Sequence, residues 1–140
     1  MKKGFFIFFI VLFITQESLA TGRTSRGLTE AQQLGITAGV AQACAVGNKL
    51  KTFELIANRI IANPIPTDEL ERKELREFAV SKLNAYNSQK NNPVLDCANV
   101  LKKFYRLPIF KSVIYSDGSV KLPDGRILKP MRPLNKKKSK

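Results

Sequence analysis

The sequence contains no histidine and no tryptophan, and only two of its 140 residues are cysteines. Without histidine, the chain lacks the most common general base, the most common metal ligand and the ordinary pH-sensitive side chain. Two thiols alone cannot complete a four-ligand zinc site. The chain also has no nucleophile elbow, phosphate-binding loop or dinucleotide fingerprint. We therefore expect a non-catalytic protein that carries neither a metal nor a cofactor.

Acidic residues are scarce as well. The chain has 24 Lys and Arg against 11 Asp and Glu, which gives a formal net charge of +13. This excess fits either an anionic partner, such as lipid headgroups or another polyanion, or a basic tail that only increases solubility; sequence-specific nucleic acid recognition is not expected without a reading motif. No acid follows Asp124, so residues 130–140 are predicted to form a disordered basic tail. The candidate residues for anion or membrane binding are Arg126, Lys129, Arg132, Lys136, Lys137, Lys138 and Lys140.

Residues 1–20 have the pattern of a signal peptide. Two lysines precede an unbroken run of ten apolar residues, and small residues lie near the expected cleavage point at Ala20. The run is shorter than the roughly 20 residues that a membrane-spanning helix needs, and no cysteine near Ala20 offers a lipid acceptor. We expect an exported protein, periplasmic or secreted, with neither a lipid anchor nor a transmembrane helix in its mature form.

Export determines how the two cysteines are interpreted. An oxidising compartment favours a single disulfide between Cys44 and Cys97 over free thiols or an intermolecular bridge. The disulfide would close the loop between Cys44 and Cys97, which stabilises the fold by about 4 kcal/mol in the chain-entropy description.

Helical periodicity dominates the first part of the mature chain. After a flexible leader over residues 21–28, residues 29–107 are predicted to form a bundle of three to four helices. The expected boundaries are a capping box opening at Thr29, a break at Gly47–Asn48, a stop at Asn63, a cap at Thr67, and a last helix capped by Asn92 with Pro93 in its first turn.

A stripe of small residues runs along the first predicted helix at four-residue spacing. Its candidate docking positions are Gly35, Gly39, Ala43 and Gly47. Such a stripe lets another helix approach closely, and that helix belongs either to the same domain or to a partner.

Beyond residue 107 the periodicity changes from helical to alternating. Apolar residues alternate on both sides of Asp117–Gly118, which is typical of a β-hairpin, and a second turn at Asp124–Gly125 allows a third strand. Residues 108–129 are therefore predicted to form a hairpin or three-stranded ribbon. A ribbon this small is marginal alone and must lie on the bundle or on a partner. The predicted fold class is α+β, mainly α.

Three functional classes fit these features. The first is a non-catalytic binding or assembly protein of a bacterial envelope, such as an accessory of a secretion or surface apparatus, with a protein partner at a sheet edge. The second is a secreted basic module that binds anionic lipid headgroups or another polyanion. The third is a periplasmic chaperone, because a small helical domain bridged from Cys44 to Cys97 resembles the acid-stress chaperones of the bacterial periplasm. That resemblance implies acid-driven exposure of apolar surface, which few carboxylates and no histidine would drive here.

Overall fold

The protein is described by a computed structural model over residues 27–133. This range is mainly helical and ends in a small antiparallel sheet, so the predicted α+β class is confirmed. The predicted signal peptide, most of the leader and the last residues of the tail lie outside it. The elements are α1 (Glu30–Ala43), α2 (Lys49–Ala62), α3 (Asp68–Asn91), α4 (Cys97–Phe104), a 3-10 helix (Pro108–Lys111), β1 (Val113–Ile114), β2 (Val120–Lys121) and β3 (Ile127–Leu128).

Local capping explains where α1 and α3 begin. The Thr29 hydroxyl accepts the N–H of Gln32, and the Gln32 side chain accepts the N–H of Thr29, which completes the predicted capping box. Thr67 caps α3 by accepting the N–H of Leu70. The predicted break between α1 and α2 is confirmed at Gly47, where φ is +70° and favours glycine.

The start of α4 differs from the sequence prediction. Asn92 was expected to cap this helix with Pro93 in its first turn, but Asp96 is the cap, and its carboxylate accepts an N–H of the first turn. The loop before Asp96 is held by Gln89, a buried residue of α3. Its side-chain amide both donates to the carbonyl and accepts from the N–H of Leu95. This contact provides hydrogen-bond partners for the N–H and the carbonyl of Leu95, so the chain remains a loop there and α4 begins only at Cys97.

Close packing joins α1 to α3. A Cβ atom added at Gly35 would overlap the carbonyl oxygen of Phe78, and one added at Gly39 would overlap that of Lys82. The two helix backbones therefore touch at these glycines. Packing within the domain thus explains the small residues at Gly35 and Gly39.

The Cys44–Cys97 disulfide is present, as predicted, with a Cα–Cα distance of 5.2 Å. It links the end of α1 to the first residue of α4. The link fixes α4 against α1 even though α4 has only two turns.

An aromatic cluster forms the centre of the core. The rings of Phe53 and Phe104 have centroids 5.3 Å apart, and those of Phe104 and Phe110 are 5.2 Å apart. These contacts join α2, α4 and the 3-10 helix. Val120 and Leu128 extend the same core, so the inner face of the sheet lies on the bundle.

The sheet has the strand order β1-β2-β3, with both pairs antiparallel. Among the helices within residues 27–133, none combines the length and the apolar character needed to span a bilayer.

Candidate anion-binding surface

Five exposed cationic side chains gather around the C-terminal end of α4. Four follow one another in the chain, from the last turn of α4 to the end of the 3-10 helix, and the fifth opens α2. We refer to this set as the basic cluster: Lys49, Lys102, Lys103, Arg106 and Lys111. Lys102 and Lys103 also suit the negative end of the α4 dipole, but that role does not require the other three.

Two aromatic residues contact Lys49 of the basic cluster. The Lys49 ammonium lies 4.8 Å from the ring centroid of Phe110 and 5.4 Å from that of Tyr105, within the range of cation–π attraction. The hydroxyl of Tyr105 donates to the carbonyl oxygen of Val46 at 2.8 Å. The Tyr105 side chain nevertheless stays 44% exposed. The cluster therefore includes an accessible aromatic ring with a fixed position.

The chain segments that build the basic cluster contain no acidic residue. Neither residues 31–53 nor residues 97–116 include an Asp or Glu. Within residues 27–133, no residue of the cluster forms an ion pair. The positive potential at this end of the molecule is therefore uncompensated by these segments, and it favours an anion.

Three of the sequence-predicted basic residues lie within the described range, and their surroundings differ. Arg126 pairs with the carboxylate of Asp124 at 2.8 Å. Lys129 is exposed, and its carbonyl oxygen accepts a hydrogen bond from the Asn63 side chain. The remaining lysines of the predicted tail lie outside the described residues: Lys136, Lys137, Lys138 and Lys140.

Arg132 departs from the expectation of a free tail. Its guanidinium bonds the Glu71 carboxylate at 2.9 Å, lies 3.4 Å from the Asp68 carboxylate and donates to the carbonyl oxygens of Ile65 and Pro66. The Glu71 side chain is 1% exposed. A buried carboxylate needs a cation or hydrogen-bond donors, and Arg132 provides both. This residue therefore anchors the chain and is not free for an anionic ligand.

Arg132→Ala is expected to lower the free energy of unfolding by about 2 to 3 kcal/mol, because it leaves Glu71 buried without its cation. Urea denaturation measures this change. Arg126→Ala is the matched control, since its ion pair is exposed and contributes less than about 1 kcal/mol. Equal small losses in both variants would contradict the anchoring role of Arg132.

The predicted helix-docking positions are not available to a partner helix as a set. Gly35 and Gly39 are buried against α3, and Ala43 is half-buried. Gly47 is exposed but lies in the turn after α1. At Gly35 and Gly39, α3 of the same chain fills the place that a partner helix would need.

The structure also contains a groove of about 620 Å³ between α2 and α3. Glu54 and Lys82 form an ion pair across it. Glu54 is the one acidic residue in its lining, so the groove does not bring two carboxylates together. Within residues 27–133, no three or more His, Cys, Asp or Glu side chains are grouped as a metal site.

Among residues 27–133, three carboxyl groups have shifted pKa values, and all lie outside the groove and the basic cluster. Burial raises the pKa of Glu30, and the charge of Arg126 partly opposes that rise. The side-chain hydroxyl of Ser119 lowers the pKa of Asp117, and the backbone N–H of Arg126 lowers the pKa of Asp124. Hydrogen bonds within the two turns account for both lowered values.

The basic cluster was missed in the sequence analysis. The signal that points to it is the absence of acids from two long segments, 31–53 and 97–116. The sequence shows which residues are basic and which segments are helical. It does not show that α2 begins beside the end of α4. That proximity depends on the packing of Phe53 against Phe104.

The fold and the surface define a disulfide-linked helical bundle with a small antiparallel ribbon and an exposed basic end. Comparison of the chain with protein-family models, with curated proteins and with solved structures found no match.

Proposed function

We propose that this is an exported, non-catalytic binding protein of a bacterial envelope, and that its ligand is an anionic membrane surface. The basic cluster carries the proposal, because it combines five exposed cations and an accessible tyrosine in segments without acids. Phosphate-bearing lipid headgroups match this arrangement in charge.

Two features support export. Residues 1–20 have the charge and hydropathy pattern of a signal peptide. The Cys44–Cys97 disulfide is a bond that persists in oxidising compartments and is rare in the cytosol.

The charge of the cluster indicates a weak, reversible attachment. Each Lys or Arg near an anionic membrane contributes about 1 kcal/mol. Five such residues give about 5 kcal/mol, which corresponds to sub-millimolar affinity. The attachment is therefore expected to depend strongly on salt and on the density of anionic lipid.

Replacing both Lys102 and Arg106 by Ala is expected to weaken binding to anionic vesicles by about thirtyfold, because about 2 kcal/mol of electrostatic attraction is lost. Co-sedimentation measures this with vesicles of phosphatidylcholine in which about a third of the lipid is phosphatidylglycerol. Vesicles of phosphatidylcholine alone provide the neutral reference.

The matched control is the double variant Lys73→Ala and Arg76→Ala on α3. It removes the same number of charges from exposed positions that alternate with glutamates such as Glu69 and Glu77. Its binding should change by less than about threefold, since those cations do not form an acid-free patch. Equal weakening in both double variants would show that only net charge matters and would contradict a defined site.

A further inference from the structure

The ribbon has one buried face and one exposed face. Its register places Ile114, Val120 and Leu128 in one cross-strand row. Val120 and Leu128 of this row are buried against the bundle, whereas Ile114, on the edge strand β1, is 45% exposed. The side chains of the next row therefore point away from the bundle, because alternate residues of a strand face opposite sides.

That exposed row is mostly apolar. Val113, Lys121 and Ile127 are cross-strand neighbours, and Tyr115 follows Val113 on the same side, where its N–H still donates to the carbonyl of Ser119. We refer to these four residues as the outer face. Val113 is 51% exposed, Tyr115 43% and Ile127 62%. Aliphatic side chains with this exposure gain free energy when a second apolar phase covers them.

The residue types of the outer face match a membrane interface. Valine and isoleucine suit the acyl boundary, tyrosine suits the headgroup level, and a lysine between them keeps its ammonium among the headgroup phosphates. The outer face itself has no carboxylate. The nearest acids along the chain lie in the turns, where Asp117 bonds Ser119 and Asp124 bonds Arg126.

Charge favours an anionic membrane over a second copy of the chain as the partner of the outer face. Two outer faces packed together would each bring a Lys121 ammonium into the contact, with no carboxylate on either outer face to pair with it. An anionic bilayer supplies both the apolar phase and the counter-charge.

The outer face is continuous with the basic cluster. Lys111 ends the 3-10 helix, and Val113 begins β1 two residues later. Phe110, next to Lys111, is fixed in the aromatic core by its packing on Phe104. The outer face therefore begins beside the basic cluster.

We infer that the outer face inserts into the apolar boundary of the same anionic membrane that the basic cluster contacts. This inference rests on the proposed function and adds to it the part of the protein that enters the lipid. Electrostatic attraction brings the protein to the surface, and Val113 and Ile127 then anchor it.

The chain contains no tryptophan, so the variant Ile127→Trp has a single tryptophan and its emission reports on that position alone. The full mature, oxidised protein is mixed with anionic vesicles whose acyl chains carry bromine. We expect a blue shift of the emission and quenching by the brominated lipid. Val113→Trp is a second reporter on the same face, in case the first variant does not fold.

Leu83→Trp is the matched control. Leu83 is 58% exposed, close to the exposure of Ile127, but it belongs to α3, where it lines the groove between α2 and α3. Its emission should be neither shifted nor quenched by the same vesicles.

The outcomes separate the inference from the proposed function. If no variant binds the vesicles, the proposed function fails and the inference fails with it. If the variants bind but a tryptophan at Ile127 or Val113 is not quenched, the inference is overturned while the proposed function stands. A blue shift that grows with protein concentration without vesicles would assign the outer face to a second copy and would also overturn it.

Discussion

Gly39→Ala is expected to lower the free energy of unfolding by about 2 kcal/mol or more, although alanine is the better helix former. The added Cβ would overlap the carbonyl oxygen of Lys82 and lie 2.9 Å from the Cβ of Ala85. Both neighbours belong to α3, and a backbone carbonyl cannot turn away without moving its helix. Overpacking of this kind typically costs about 1 to 3 kcal/mol.

Whether Gly39→Ala raises or lowers the free energy of unfolding shows if α1 and α3 are in close contact. Where no neighbour interferes, replacing a helical glycine by alanine stabilises a protein by about 0.5 to 1 kcal/mol. Urea denaturation of Gly39→Ala therefore separates the two cases by direction. Gln42→Ala, at an exposed position of α1, is the control and should change stability by less than about 0.5 kcal/mol. A stabilised Gly39→Ala would show that α1 and α3 are not in close contact.

Replacing both cysteines by serine should lower the free energy of unfolding by about 4 kcal/mol. The disulfide joins residues separated by 53 positions, and a loop of that length loses substantial entropy in the unfolded chain when it is closed. The loss should be large for a domain whose α4 has only eight residues and is held at its first residue by the bond.

Denaturation with and without a reductant provides the internal control for the disulfide. The oxidised wild-type protein should lose stability on reduction, whereas the Cys44→Ser, Cys97→Ser variant should have the same curve in both conditions. A wild-type midpoint that reduction leaves unchanged would mean that the bond does not constrain the unfolded chain.

Apart from the disulfide, which followed from a single possible cysteine pair, the caps and turns that the structure confirms depend on local interactions. The capping box at Thr29 involves residues three positions apart. The turn at Asp117 is stabilised by its own hydrogen bonds to Ser119. Such contacts can be recognised in sequence because the chain itself brings the partners together.

The features that were missed depend on contacts that no sequence pattern indicates. Asn92 is a good cap in sequence, but Gln89 holds the following backbone in a loop, and Asp96 then starts α4. From the sequence, Arg132 was predicted to belong to a disordered basic tail, but its side chain pairs with Glu71, 61 positions away. No local pattern indicates that a glutamate of the first turn of α3 will be buried.

The candidate site shows the same limitation. Net charge left an anionic partner open, but the cations of the basic cluster lie around α4 and not in the described part of the predicted tail. Their convergence depends on Phe53, Phe104 and Phe110, which bring the start of α2 beside the end of α4. For the stripe of small residues, the sequence allowed packing either within the domain or against a partner. The contact of the α3 backbone with Gly35 and Gly39 favours packing within the domain.

Attachment to anionic lipid is tested most directly by flotation of the mature, oxidised wild-type protein with vesicles at increasing salt. At about 0.1 M salt the Debye length is about 10 Å, and at about 1 M it is about 3 Å. We predict flotation with vesicles that contain phosphatidylglycerol, little or none with phosphatidylcholine alone, and a loss of more than about tenfold in affinity across that range. Equal flotation with both lipids, or none with either, would contradict an electrostatic membrane site.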